Sequence, residues 1–217
     1  MDWRLWSEVM SRLTGPVHHA DLSVDDTVAQ MAGRALTSVP QPVHVVGFSL
    51  GAIVALEIMR QHRAAISTLV LIGLNPGPVP PNGGAARRAQ AVRARYDLAA
   101  VVREELLPRY FAGPPPTTYD AVILAMAKAL GPDVFQQQAT AQIARPDSTD
   151  DLTKLDLPCL VACGAEDRLT PPSMHADTAR RIPGAELETF CDAGHLVPLE
   201  APGPLADAID RFHGAHS

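Results

Sequence analysis

Cysteine, aromatic residues and positive charge are all scarce in this 217-residue chain, and each scarcity removes a class of protein. Its three cysteines, Cys159, Cys163 and Cys191, are an odd number and form no disulfide framework. Cys159 and Cys163 fall on one face of an expected strand, too far apart to bond easily. Cys191 is expected as a small buried apolar residue near a functional loop. The default location is therefore a reducing cytoplasm. No Cys/His spacing suggests zinc, and neither a metal nor a cofactor is expected. Lys and Arg number 18 against 24 Asp and Glu, giving a net charge of −6 with no basic tail. That balance points away from nucleic acid and from anionic membranes as partners. Arg87, Arg88, Arg93 and Arg95 make the only basic cluster, which reads as a solvated helix face. No apolar run is long enough to span a bilayer, and the opening residues give no expectation of a secretory leader. With aromatics at 5%, the core is expected to be aliphatic, built from Ala, Val and Leu. The length suits one α/β domain.

What is present centres on Gly47-Phe48-Ser49-Leu50-Gly51. Pro42-Val43-His44-Val45-Val46 before it reads as a buried strand. Ala52-Ile53-Val54-Ala55-Leu56-Glu57-Ile58-Met59 after it reads as a helix that is apolar almost all round. Strand, sharp turn and helix with G-x-S-x-G at the turn is the layout of a nucleophile elbow. The turn strains the serine backbone and pushes its hydroxyl out beyond the carboxyl end of the sheet. Both flanking glycines are expected to let strand and helix pass closely. The Leu50 N–H, at the helix N-terminus, is placed to face a developing oxyanion.

A serine nucleophile needs a base, and the base needs an orienting carboxylate, in the chain order Ser, Asp or Glu, His. Leu157-Pro158-Cys159-Leu160-Val161-Ala162-Cys163-Gly164 reads as a strand that runs into a proline-closed loop holding Asp167. Glu166 is the neighbouring alternative. Ala185-Glu186-Leu187-Glu188-Thr189-Phe190 alternates as a strand does and empties into Ala193-Gly194-His195. His195 thus lies in a loop before a final helix.

On these residues the chain closely resembles the α/β-hydrolase family. The resemblance rests on Gly47 to Gly51, the Gly164-to-Asp167 loop with Leu169-Thr170-Pro171-Pro172, and Ala193-Gly194-His195 with Pro198-Leu199-Glu200. Leu5-Trp6, Asp25-Asp26, Met31-Ala32 and Ala144-Arg145-Pro146-Asp147-Ser148 extend it over nearly the whole chain. It implies Ser49 as nucleophile, Asp167 as orienting acid and His195 as general base. It also implies cofactor-free cleavage of a small carboxylic ester, lactone or thioester. The family pattern begins with several strands and a loop that supplies a second oxyanion N–H. Here Trp6, Val9, Met10 and Leu13 already fall at helical spacing, so those strands and that loop are missing from the pattern. Pro16-Val17-His18-His19-Ala20-Asp21-Leu22 is expected as the next strand, and the resemblance implies that the missing strand normally lies between it and the elbow strand.

The remaining signals alternate between strand and helix, as in a mostly parallel sheet flanked by helices. A helix is expected from about Asp25 to Ala35, capped by Ser23 or Asp25, and Ile66 to Ile72 is the strand after the elbow helix. Asn75 to Gly84, rich in Pro and Gly, breaks the pattern, and from there to about Asp151 the signals are all helical, interrupted at Gly113-Pro114-Pro115-Pro116 and Gly131-Pro132. Val92, Tyr96, Ala99 and Leu106 are expected to share one packing face. The expected organisation is a core of residues 1–75 and 152–217, with residues 76–151 inserted as a helical cap. Phe48 and Leu196 are pocket-lining candidates. A small acyl compound is the expected partner, and a homo-oligomer is left open. Two other functions compete: a catalytically silent ligand-binding scaffold, and an acyltransferase or perhydrolase on the same triad.

Overall fold

The computed structural model of the chain describes all residues except Ser38, Pro115 and Ser217. Trp3–Trp6 forms a 3₁₀ turn that runs into α1 (Ser7–Met10), and α2 follows at Val28–Ala35. Then come β1 (Val43–Phe48), α3 (Leu50–His62) and β2 (Ile66–Ile72). Helices α4 (Pro81–Ala100), α5 (Leu107–Tyr110) and α6 (Thr117–Ile143) separate β2 from β3 (Cys159–Gly164). The chain continues with α7 (Pro172–Arg181), β4 (Glu186–Phe190), α8 (Val197–Glu200) and α9 (Pro202–Ala215).

The four strands are parallel and lie in chain order, β1-β2-β3-β4. Each parallel step requires a helical crossover, which buries the sheet on both faces. That is why β3 and residues 69–72 of β2 read as continuous apolar runs. Val70 and Ile72 join Phe48, Leu160 and Phe190 in a core closed by Leu205, Ile209 and Phe212 of α9. Leu69 and Leu71 face the other way, onto Val54, Leu56 and Ile58 of α3 and onto Met31 of α2. Helix α3 is buried from Ala52 through Ile58, including Glu57, whose carboxylate accepts from Arg60 at 2.6 Å.

Several local expectations need correcting. No strand forms over residues 16–22, and no described strand precedes β1, which leaves β1 at the sheet edge. Residues 16–19 are exposed, and together with Val43 to Val46 they line a cavity instead of a hydrogen-bond ladder. Helix α2 starts at Val28, because the Thr27 hydroxyl accepts from the Gln30 N–H and caps it. Asp25 is occupied by a two-pronged ion pair with Arg34, at 2.6 and 2.9 Å. Val92 and Tyr96 face solvent; α4 buries Gly84, Ala91 and Ala94, small residues that let it approach α6 closely.

The two long helices break where the sequence permits. In α4, Asp97 leaves helical geometry and its carboxylate accepts from the Ala100 N–H, capping a π-helical stretch, Val101–Leu106. In α6, Gly131 sits at φ 78° immediately before Pro132, so two helices meet at a kink. Of the expected turn at residues 113–116, Pro115 lies outside the described residues.

Candidate active site

Ser49 stands between β1 and α3 at φ 52° and ψ −112°, the only described non-glycine residue with positive φ. Such a conformation costs about 1–3 kcal/mol and survives only where its surroundings fix it. Here the Ser49 N–H donates to the Ile72 carbonyl at 2.8 Å, extending the sheet pairing to the apex. The two elbow glycines turn out to differ. A β-carbon on Gly47 would lie 2.4 Å from the Gly51 carbonyl oxygen, whereas one on Gly51 would meet open space. Only Gly47 is required for the close crossing.

Asp167 and His195 arrive from the ends of β3 and β4. A β-carbon on Gly164, at the end of β3, would lie 2.1 Å from the Gly194 carbonyl, so the two loops cross with no room between them. The result is a hydrogen-bonded chain: Asp167 Oδ2 to His195 Nδ1 at 2.7 Å, and His195 Nε2 to Ser49 Oγ at 3.1 Å. Asp167 Oδ1 also accepts from the N–H groups of Leu169 and Thr170, at 2.8 and 2.9 Å, and Oδ2 accepts the Thr170 hydroxyl at 2.8 Å. Burial alone pushes the Asp167 carboxyl up; the His195 bond and charge, with the hydrogen bonds from Thr170, outweigh it and hold it below the usual carboxylate range. Glu166 makes no such contact; its N–H donates to the Ala193 carbonyl.

The histidine loop is fixed from outside the sheet. The N–H groups of His195 and Leu196 both donate to the Tyr110 carbonyl, at 2.7 and 3.2 Å. The Tyr110 ring stacks on the imidazole with centroids 5.9 Å apart, and Phe48 approaches it at 5.1 Å. The Glu200 carboxylate accepts from the Gly194 and Ala112 N–H groups at 2.9 Å each, tying the loop to the segment after α5. Burial pushes the Glu200 carboxyl up, and those N–H groups oppose the rise. Thr170, Tyr110 and Glu200 were given no role by the sequence. Thr170 and Glu200 lie inside the quoted motifs, but nothing in the pattern singles out Tyr110.

Ser49, His195, Leu50 and Phe48 line one cavity of about 650 Å³. Leu196 does not line it; its side chain is wholly buried in the core with Leu199 and Leu205. Cys191 is exposed rather than buried, while Cys159 and Cys163 are buried in β3. Among the described residues no group of three or more His, Cys, Asp or Glu side chains could hold a metal ion. No helix of the described residues is long and apolar enough to cross a membrane.

A strained serine at a strand-to-helix turn, hydrogen-bonded to a histidine and through it to an aspartate from successive strand ends, is the arrangement of a hydrolase site on a parallel sheet. The profile of the Alpha/beta hydrolase family matches residues 2–208, and the chain belongs to that family. Among curated proteins it is 28% identical over 207 residues to a pimeloyl-[acyl-carrier protein] methyl ester esterase of Neisseria meningitidis serogroup B / serotype 15, covering 88% of this chain and 80% of that one. The same-named protein of Aromatoleum aromaticum is 28% identical over 240 residues, covering 96% of this chain and 94% of that one. Among solved structures, a thermophilic esterase from Thermogutta terrifontis with malate bound superposes with a TM-score of 0.87 at 26% identity. That match covers 100% of this chain and 87% of the esterase.

Proposed function

We propose that this chain is a serine hydrolase that cleaves a small carboxylic ester through an acyl-enzyme on Ser49. Its class, a carboxylic ester hydrolase, rests on family membership and on esterase-named relatives. The observation that carries the serine mechanism is the unbroken Asp167–His195–Ser49 hydrogen-bond chain. His195 Nε2 takes the Ser49 proton as Oγ attacks the ester carbonyl, and Asp167 holds the Nδ1 proton and stabilises the imidazolium. The tetrahedral oxyanion is met by the Leu50 N–H, the first of α3 and without an intrahelical partner. His195 then protonates the departing alcohol, and a water activated by the same nitrogen releases the acid. The relatives' names bring a methyl ester forward as the first substrate to try.

Residues 76–151 act as a cap in this reading. Arg87, Tyr110, Leu130, Gln138 and Gln142 from that segment line the cavity that holds Ser49. Walls of this kind exclude bulk water from the acyl-enzyme.

A fluorophosphonate tests the mechanism without knowledge of the natural ester. Labelling mapped by mass spectrometry is expected at Ser49 alone and is expected to vanish in Ser49→Ala. Ester turnover by that variant is expected to fall by ~10⁴-fold or more. Well-folded protein that takes no label, or label at another residue, would refute the assignment.

A further inference from the structure

We infer that the substrate carries a carboxylate remote from its scissile ester, and that Arg87 of α4 binds it inside the cavity shared with Ser49 and His195. This deepens the ester-hydrolase reading and rests on it. Arg87 differs from the arginines that surround it in sequence. Arg93 is paired with Glu105 at 2.6 Å, Arg95 donates to Gln136 at 3.1 Å, and Arg88 is exposed. Arg87 is half-buried instead and lines the catalytic cavity. No carboxylate of the described residues lies within ion-pair distance of it.

The surroundings of Arg87 carry no compensating charge either. Burial lowers its pKa most, and the groups that act on it besides are the Tyr110 phenol and the like charge of Arg109. Arg145, buried and donating to the Gly77 carbonyl at 2.9 Å, is a further positive charge on Arg87's side, and its own counter-charge is Asp147. A guanidinium remains charged under all ordinary conditions, so the cavity wall holds a partly desolvated cation that no carboxylate of the described residues pairs with. Such a group is destabilising in the empty protein and becomes favourable when an anion from outside pairs with it. One free planar fork matches one planar carboxylate.

The space beside Arg87 suits the rest of such a molecule. A second pocket of about 130 Å³ shares Arg87, Tyr110, Gln138 and Gln142 with the catalytic cavity, so Arg87 stands where the two meet. Val102, Ile123, Val134 and Phe135 give that pocket apolar walls for methylene groups. The favoured substrate is thus a monoester of a dicarboxylic acid.

Calorimetric binding to Ser49→Ala protein tests this without turnover, using monomethyl and dimethyl esters of succinic, adipic and suberic acids. A methyl ester ending in a phosphonate serves as the comparison anion. At least one monoester is expected to bind ~10-fold or more tightly than its diester and more tightly than the phosphonate. Adding Arg87→Gln is expected to bring the monoester-to-diester ratio to about one, and Arg87→Lys to restore part of it. Arg87→Gln is also expected to melt no lower than its parent, since it removes an uncompensated charge; if it does melt lower, the ratio in Arg87→Lys decides. No monoester preference, a preferred phosphonate, or a ratio untouched by both substitutions would overturn the inference. Failure of the ester-hydrolase reading shows separately, as absence of fluorophosphonate label at Ser49.

Discussion

A methyl group added at position 47 would sit against the backbone of Gly51 and Ala52, whereas the same group at position 51 would touch nothing. Gly47→Ala is therefore expected to cost about 3 kcal/mol in denaturant unfolding. Gly51→Ala, within the first turn of α3, is expected to be neutral or to stabilise by about 0.5–1 kcal/mol. The G-x-S-x-G pattern treats the two glycines alike; only the folded crossing separates them. Ser49, Asp167 and His195 were legible because each stands just past a strand, where side chains reach a common edge. Tyr110 was not, because its carbonyl and its ring meet the His195 loop only once α5 is folded against it, and no motif in the chain marks that contact. Thiol chemistry gives a second check. Burial pushes the Cys159 thiol up to about 12 and also raises that of Cys163, whereas Cys191 is exposed. A disulfide reagent is expected to titrate one thiol in native protein, lost in Cys191→Ser, and all three after denaturation.

Helix α4 shows how a periodic pattern misleads. Large apolar residues at helical spacing, Val92 and Tyr96, pointed to a packing face, yet Tyr96 is 88% exposed. What α6 demands of α4 is closeness, and Ala91, Ala94 and Gly84 supply it because they have almost no side chain. Helix α9 carries a pH response. Its His213 stacks on His44 of β1 at 4.3 Å, with Asp210 and His216 also acting on it. Burial first, then the His44 charge, lowers the His213 pKa from 6.5 to about 4. Between those values the unfolded chain takes up a proton that the folded chain declines, so stability rises with pH across that window and levels off above it. Solvent screening limits the effect to about 1–2 kcal/mol. Urea midpoints near pH 5 and near pH 7 should differ accordingly, and His213→Gln should narrow the difference. A midpoint that falls with rising pH in that window would contradict the assignment.

For the molecule as a whole, the parallel sheet and its helical interruption were readable because both depend on period. Two-faced burial makes β3 and residues 69–72 of β2 short apolar runs, whereas the apolar run at residues 121–127 continues into a much longer helical segment. The expected strand at residues 16–22 had the right composition but pairs with no described strand, a cavity lying between it and β1, and pairing rather than composition makes a strand. The pocket wall was the least legible part. Arg87 reads as one more surface arginine until the turn of α4 sets it facing Ser49's cavity. The bonds from the Tyr110 carbonyl to the His195 and Leu196 N–H groups have a consequence of their own. They fasten α5 to the loop that carries His195 as a latch. Any outward displacement of α5 therefore works against two hydrogen bonds of the His195 loop, so the cavity wall and the position of the imidazole are mechanically linked.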